Sequence, residues 1–318
     1  MANIDPTAIT RRHGLWQLSA LPLAAALPAR LQDVPEAPHS ERLFLNLFTR
    51  LATRVILGSR ASLFVIDTGA QSTSISDRLA QELNLRPGPQ VTIHAVTGTF
   101  QTPSAYLPRL RIEPVDYEEV RVPVFPQEAL GAEGLLGMNH LREFRLTLDI
   151  SRRRATLGPS VPQGIEVNTS NHATLLGQTQ ALKPVGTRVV GGLMMLDVTV
   201  GGVPAVGFLD TGSQYSIANH DLRRALGGSA TGQTAILQGV SGPPLEVLTG
   251  PAATIGFGVR SARDVRLLYA DLHIFEILDL LDRPALLIGA DVMSRFQQVR
   301  IDYHRQQVSL GPTRILRR

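Results

Sequence analysis

The tripeptide Asp-Thr-Gly occurs twice in this chain, at Asp67-Thr68-Gly69 and at Asp210-Thr211-Gly212. Each copy closes an apolar run, Leu63-Phe64-Val65-Ile66 in the first case and Val206-Gly207-Phe208-Leu209 in the second. A single Asp-Thr-Gly reads as an ordinary turn with an Asx-type hydrogen bond. Two copies in matching contexts supply one carboxylate each, and that is what a paired-carboxylate catalyst requires. Two carboxyls about 3 Å apart cannot both ionise, so one proton is shared and the pair is base and acid at once. Asp67 and Asp210 are therefore the candidate catalytic residues. Gly69 and Gly212 permit the tight turn and let backbone N–H groups approach the carboxylates. Ser213 can donate to Asp210, whereas Ala70 gives Asp67 no such donor. This asymmetry predicts that the first carboxyl carries the resting proton, with activity in mildly acidic to near-neutral conditions.

The elements that must position these residues repeat as well. About thirty residues after each aspartate comes a glycine-centred hairpin signal, His94 to Phe100 with Val96, Thr97 and Gly98 at its turn, and Leu237 to Pro244 with Val240, Ser241 and Gly242. Next comes an apolar-apolar-Gly motif, Leu135-Leu136-Gly137 and Leu287-Ile288-Gly289, then a helix-like stretch ending in Phe144 or Phe296. Each half closes with a strand and turn, Arg145 to Ile150 and Val299 to Tyr303. Four elements in the same order, at unequal spacings, mark a duplication with insertions. Strands are expected at Arg54–Leu57, Leu63–Ile66, Met194–Val200 and Val206–Leu209, and short helices at Ser76–Leu83 and Asn219–Leu226.

With these motifs the sequence resembles a two-lobed aspartic protease, closer to the bacterial retropepsin-like proteins than to the vertebrate digestive enzymes. The match runs from about Arg42 to Leu310. The resemblance implies an all-β fold of two pseudo-symmetric β-barrel-like lobes with a few short helices. It implies an aspartic endopeptidase acting on extended polypeptide segments, with Asp67 and Asp210 activating water. It also implies that Thr68 and Thr211 bond across the pseudo-dyad to the opposite loop. In this reading the two hairpins are flaps, with Val96, Thr97, Gly98, Val240, Ser241 and Gly242 as flap residues facing substrate, and the apolar-apolar-Gly motifs shore up the loops. Two departures stand out. Residue four of the loop is Ala70 in one half and Ser213 in the other, and neither flap turn carries the tyrosine of pepsin-type enzymes.

Composition narrows the alternatives. The chain has 318 residues, enough for two lobes that each bury a core. Its 28 glycines and 21 prolines favour turn-rich β architecture over helices. The formal charge is only +4 and no basic stripe interleaves with aromatics, so nucleic acid is not an expected partner. With no cysteine there is no disulfide, thiolate metal site or cysteine nucleophile. The eight histidines show no metal spacing, there is no phosphate-binding loop or Gly-x-Ser-x-Gly elbow, and no cofactor or metal is expected. His94 reads as a surface histidine of the first hairpin.

The organisation expected is an export-signal segment over 1–29, a linker over 30–39, a first lobe over 40–158, a connection over 159–185 and a second lobe over 186–318. Arg11-Arg12 precedes a Leu- and Ala-rich stretch that lacks charge from His13 to Ala29, the layout of an export signal with a twin-arginine-like start. It is too short and proline-broken for a comfortable membrane span, and the expectation is a periplasmic monomer. A catalytically silent peptide-binding or inhibitory protein is the rival reading, since fold alone does not grant activity. A membrane-anchored protease differs only in whether 13–29 stay attached.

Overall fold

The short, branched and aromatic runs do become strands, and they close into two rings. The computed structural model describes residues 41–44, 52–95, 98–152, 154–160, 183–190, 193–228, 233–238 and 244–314, all within one compact unit. Among the described residues the architecture is mostly β, 58% strand and 13% helix. In the first half the ring runs Ala52–Leu57, Arg60–Ile66, Gly134–Leu136, Ser74–Ser76, Val115–Phe125, Gly98–Ile112. It closes where Ile56 and Leu57 pair with Arg111 and Leu110, making a six-stranded barrel. In the second half the ring is Leu193–Val200, Val203–Leu209, Ala285–Ile288, Ile217–Ala218, Arg260–Tyr269, Leu245–Phe257, closed by Thr199 and Val200 on Gly256 and Ile255.

Strand directions match position by position. Arg60–Ile66 runs parallel to Gly134–Leu136, as Val203–Leu209 does to Ala285–Ile288. That parallel pair delivers each aspartate to its place, because the strand before it ends beside the apolar-apolar-Gly strand. Each barrel also projects a hairpin arm, Arg86–Ala95 with Gly98–Ile112 in the first half and Thr234–Gln238 with Leu245–Phe257 in the second. The expected helices form at Asp77–Glu82 and His220–Ala225. Ser76 Oγ accepts from Leu79 N at 3.1 Å and Asn219 Oδ1 from Leu222 N at 2.9 Å, so each start has a side-chain cap.

The closing strands of the two halves meet in a third sheet. Its order is Arg154–Pro159, Phe144–Asp149, Gln298–Asp302, Gln307–Leu310, Lys183–Val185. Phe144–Asp149 pairs antiparallel with Gln298–Asp302, which sets Leu148 opposite Val299 and Leu146 opposite Ile301. All four side chains are buried. The period-2 alternation that buries Phe144, Leu146 and Leu148 is thus satisfied by the other half of the chain. Glu41–Phe44, placed by sequence in the first lobe, instead pairs in parallel with Thr234–Gln238 of the second. The signal-like stretch 1–29, the linker 30–39 and most of the connection 159–185 lie outside the described residues.

Truncating Leu148 to Ala should remove about 2–4 kcal/mol of stability, the usual cost of a cavity at a packed site. Because this leucine is shared by both halves, urea unfolding should remain one transition shifted to lower denaturant. Two separated transitions in the wild-type protein would show that the sheet does not couple the lobes.

Candidate active site

The two Asp-Thr-Gly loops meet on the axis between the barrels. Thr68 Oγ donates to the Leu209 carbonyl at 2.9 Å and accepts from Thr211 N at 3.1 Å. Reciprocally, Thr211 Oγ donates to the Ile66 carbonyl at 2.7 Å and accepts from Thr68 N at 3.0 Å. Each hydroxyl therefore uses its proton and a lone pair on the opposite loop, and all four groups are buried. The carboxylates are brought together by the same approach. A Cβ on Gly69 would overlap the Asp210 carboxyl, and one on Gly212 would overlap that of Asp67. The glycines thus do more than permit a turn: each leaves the space in which the other lobe's carboxylate sits.

Backbone donors hold both carboxylates in matching ways. Asp67 Oδ1 accepts from Gly69 N and Ala70 N, both at 3.0 Å, while Asp210 Oδ1 accepts from Gly212 N at 2.8 Å and Ser213 N at 3.1 Å. The hydroxyl asymmetry expected from sequence is absent here. Ser213 Oγ donates its only proton to the Tyr215 carbonyl at 2.8 Å, two residues along the chain, and not to Asp210. A short side chain at a turn finds local backbone first. The argument that Ser213 makes Asp67 the proton carrier falls with it.

Beneath each loop the apolar-apolar-Gly motif acts as a seat. Asp67 N donates to Leu136 O at 3.0 Å and Asp210 N to Ile288 O at 2.9 Å, while Met138 N and Ala290 N return bonds to Ala70 O and Ser213 O. Gly137 lies against the backbone of Ser72 and Thr73, and Gly289 against that of Tyr215, with no room for a side chain. One polar residue per half completes the seat. Asn139 Oδ1 accepts from Thr73 N at 2.8 Å, and the Asp291 carboxylate accepts from Ser216 N at 3.1 Å and Ser216 Oγ at 2.7 Å. Burial pushes the Asp291 carboxyl above the usual carboxylate range, opposed by those Ser216 bonds.

Two groups near the loops carry no sequence signal. His140 stands where the second half has Val292, and its Nδ1 lies 2.8 Å from Thr73 Oγ1. Burial pushes this imidazole down to about 4, with Glu143 opposing the shift and Arg142 adding to it. Tyr303, just after the central strand Gln298–Asp302, is buried, and burial followed by the Asp67 charge raises its hydroxyl. Of the flap residues, Gly98 opens the strand Gly98–Ile112 with φ 146°, a backbone conformation that favours glycine. Val96, Thr97, Val240, Ser241 and Gly242 lie outside the described residues.

Thr68→Val and Thr211→Val each remove a buried donor and strand the opposing carbonyl and N–H, at a cost of roughly 1–3 kcal/mol. Both should lower the melting temperature, and a double variant should lose less than the sum, because the four bonds form one network. Unchanged melting in both single variants would mean the loops do not interlock in solution. His140 sets an acid limit. Its native value lies below the ordinary 6.5, so the stability it confers is complete above pH 6.5 and is lost as pH falls toward 4. The loss should be on the order of 2–3 kcal/mol in urea titrations between pH 7 and 4, and His140→Val, copying Val292, should flatten that slope.

Comparison with known proteins agrees with the duplication. Residues 53–143 match the family described as gag-polyprotein putative aspartyl protease, and residues 196–292 match the family described as aspartyl protease. No curated protein matches the chain. Each match spans one barrel with its Asp-Thr-Gly loop, and together the two aspartyl-protease units, one in each half, support a retropepsin-like aspartic protease.

Proposed function

We infer that this chain is a single-chain aspartic endopeptidase that hydrolyses peptide bonds in extended polypeptide segments. The family supports protease action on polypeptide generally; the observation that carries the finer reading is the reciprocal threonine interlock, with each carboxyl set against the other loop's glycine. With one shared proton, the ionised member of the Asp67–Asp210 pair takes a proton from water as it attacks the scissile carbonyl. The protonated member donates to the carbonyl oxygen and then, by reversal of roles, the nitrogen of the leaving amine is protonated. No covalent intermediate is needed. Substrate would lie as an added strand along the hairpin arms, bound by main-chain hydrogen bonds with alternate side chains in pockets.

Both carboxyls come from one polypeptide, so a monomer suffices. The signal-like stretch before Ala29 suggests that the enzyme works outside the cytoplasm, in the periplasm of a bacterium. No helix among the described residues is long and apolar enough to cross a membrane. A catalytically silent binding protein on the same scaffold is the reading to be tested against.

A quenched-fluorescent peptide library, with and without a statine inhibitor, is the direct test. Cleavage blocked by statine is expected, and Asp67→Asn or Asp210→Asn should each reduce kcat/KM by about three orders of magnitude or more, since half a dyad is not half active. Circular dichroism should be unchanged. A folded Asp210→Asn protein with a tenth of wild-type turnover would remove the two-carboxylate mechanism. Specific activity should also hold constant on dilution to nanomolar protein.

A further inference from the structure

Two histidines far apart in sequence meet between the lobes. His94 sits near the end of the outer strand of the first hairpin arm, Arg86–Ala95, and Thr99 is paired with it across the arm on Gly98–Ile112. His273 begins the second-lobe helix His273–Ile277. Thr99 Oγ1 lies 3.1 Å from His94 Nδ1 and 2.9 Å from His273 Nε2, while the two nitrogens are 3.5 Å apart. The ring centroids are 5.7 Å apart, so the rings approach nitrogen to nitrogen. The hydroxyl bridges a gap that is long for a direct hydrogen bond.

The protons available limit what this bridge tolerates. With both rings neutral, His273 Nδ1 donates to the Glu276 carboxylate at 3.0 Å, which leaves Nε2 as an acceptor. Thr99 gives its one proton to that nitrogen and accepts from His94 Nδ1, so every donor has an acceptor along a chain from arm to helix. One added proton reverses the chain without breaking it. His273 Nε2 then donates to Thr99, and Thr99 donates to His94 Nδ1 once the His94 ring carries its own proton on Nε2. The Glu276 carboxylate favours this first charge on His273. A second proton has no such place. Both nitrogens then carry N–H bonds converging on one oxygen, and two positive rings stand side by side. Other charged groups of these elements are already engaged. Glu276 is bound to His273, and Asp271, just before the helix, accepts the backbone N–H of His220. Arg86, Arg109 and Arg111, at the far end of the arm, pair with Glu119, Asp116 and Glu113.

We propose that His94, Thr99, His273 and Glu276 form a proton-operated latch between the first arm and the second lobe, closed while at most one ring is charged and released when both are. Histidines change charge between about pH 8 and 5, so release falls at the acidic end of that range. The sign follows from linkage. Separated rings accept the second proton more readily than the latched pair, so falling pH favours the released state. Two unit charges at this separation in water oppose each other by about fivefold to tenfold in the equilibrium, and by less at high salt. A released arm opens more often, and peptide exchanges faster under the mildly acidic conditions that suit a carboxyl pair sharing one proton. This effect on turnover rests on the protease reading; the latch does not.

Hydrogen exchange of the full chain tests the latch. After correction for the intrinsic pH dependence of exchange, opening of 86–95 and 98–112 should rise between pH 7 and 5 in the wild type. The rise should exceed that in His94→Gln or His273→Gln by about fivefold to tenfold. Glutamine keeps a donor and an acceptor at each position but cannot charge. Raising the salt to about 0.5 M at pH 5 should reduce the wild-type rise, because the repulsion is screened, and leave both variants unchanged. Thr99→Val removes the bridge and should increase opening already at pH 7. An equal pH response in the wild type and both glutamine variants, or a wild-type response that grows with salt, would overturn the latch. Where peptide cleavage is measurable, kcat/KM should gain more between pH 7 and 5 in the wild type than in His94→Gln, and equal profiles would overturn the link to turnover. Absence of cleavage would count against the protease reading while leaving exchange to decide the latch.

Discussion

Two carboxylates set side by side repel each other, and each loses hydration as the other approaches, so their closeness must be imposed by the surrounding chain. Here the imposing contact is the exchange of threonine hydroxyls between the loops. Thr68 reaches the Leu209 carbonyl and Thr211 the Ile66 carbonyl, so each loop is tied to the strand end that delivers the other aspartate. Such an exchange works only if both strand ends arrive in register on the axis. The barrels, their parallel strand pairs and the shared sheet of Phe144–Asp149 with Gln298–Asp302 all serve that one requirement. The backbone N–H groups at Gly69, Ala70, Gly212 and Ser213 then offset part of the lost hydration.

The local order of the site was legible in the sequence because it is written in short-range patterns. The strand before each aspartate and the short helix after each loop depend on neighbours a few residues away. What was not legible depends on pairings that no local period encodes. Leu146 and Leu148 alternate as any half-buried strand would, and nothing in them names Val299 and Ile301 as partners. Glu41–Phe44 reads as the start of the first lobe by proximity, yet its hydrogen-bonding partner lies almost two hundred residues later. The Ser213 hydroxyl was misjudged for the opposite reason. A local acceptor, the Tyr215 carbonyl, outcompetes the Asp210 carboxylate for its proton.

The match between halves is close enough that its breaks are informative. Asn139 and Asp291 occupy equivalent seats beneath the loops, but only Asp291 ionises, and its burial sets a charge cost under the second loop that the first does not carry. His140 opposite Val292 places a titratable ring under the first loop alone. Tyr303 follows its strand where Ile150 follows the equivalent one, and the Asp67 charge adds to burial in raising that phenol. With the Ser213 hydroxyl bonded to the Tyr215 carbonyl, these three differences remain as breaks in the symmetry around Asp67 and Asp210.

A symmetric dimer could not be arranged this way. Any residue introduced into one half of a homodimer appears in the other, so a ring under one loop or a latch on one flap would be duplicated whether or not both copies fit. Fusing the halves into one chain removes that constraint while keeping the interlock that needs two loops. The first flap can then meet a helix of the second lobe through His94, Thr99 and His273 without a mirrored contact having to exist. In this fold the duplication supplies the paired carboxyls, and the divergence of its halves supplies the means to treat the two sides of the cleft differently.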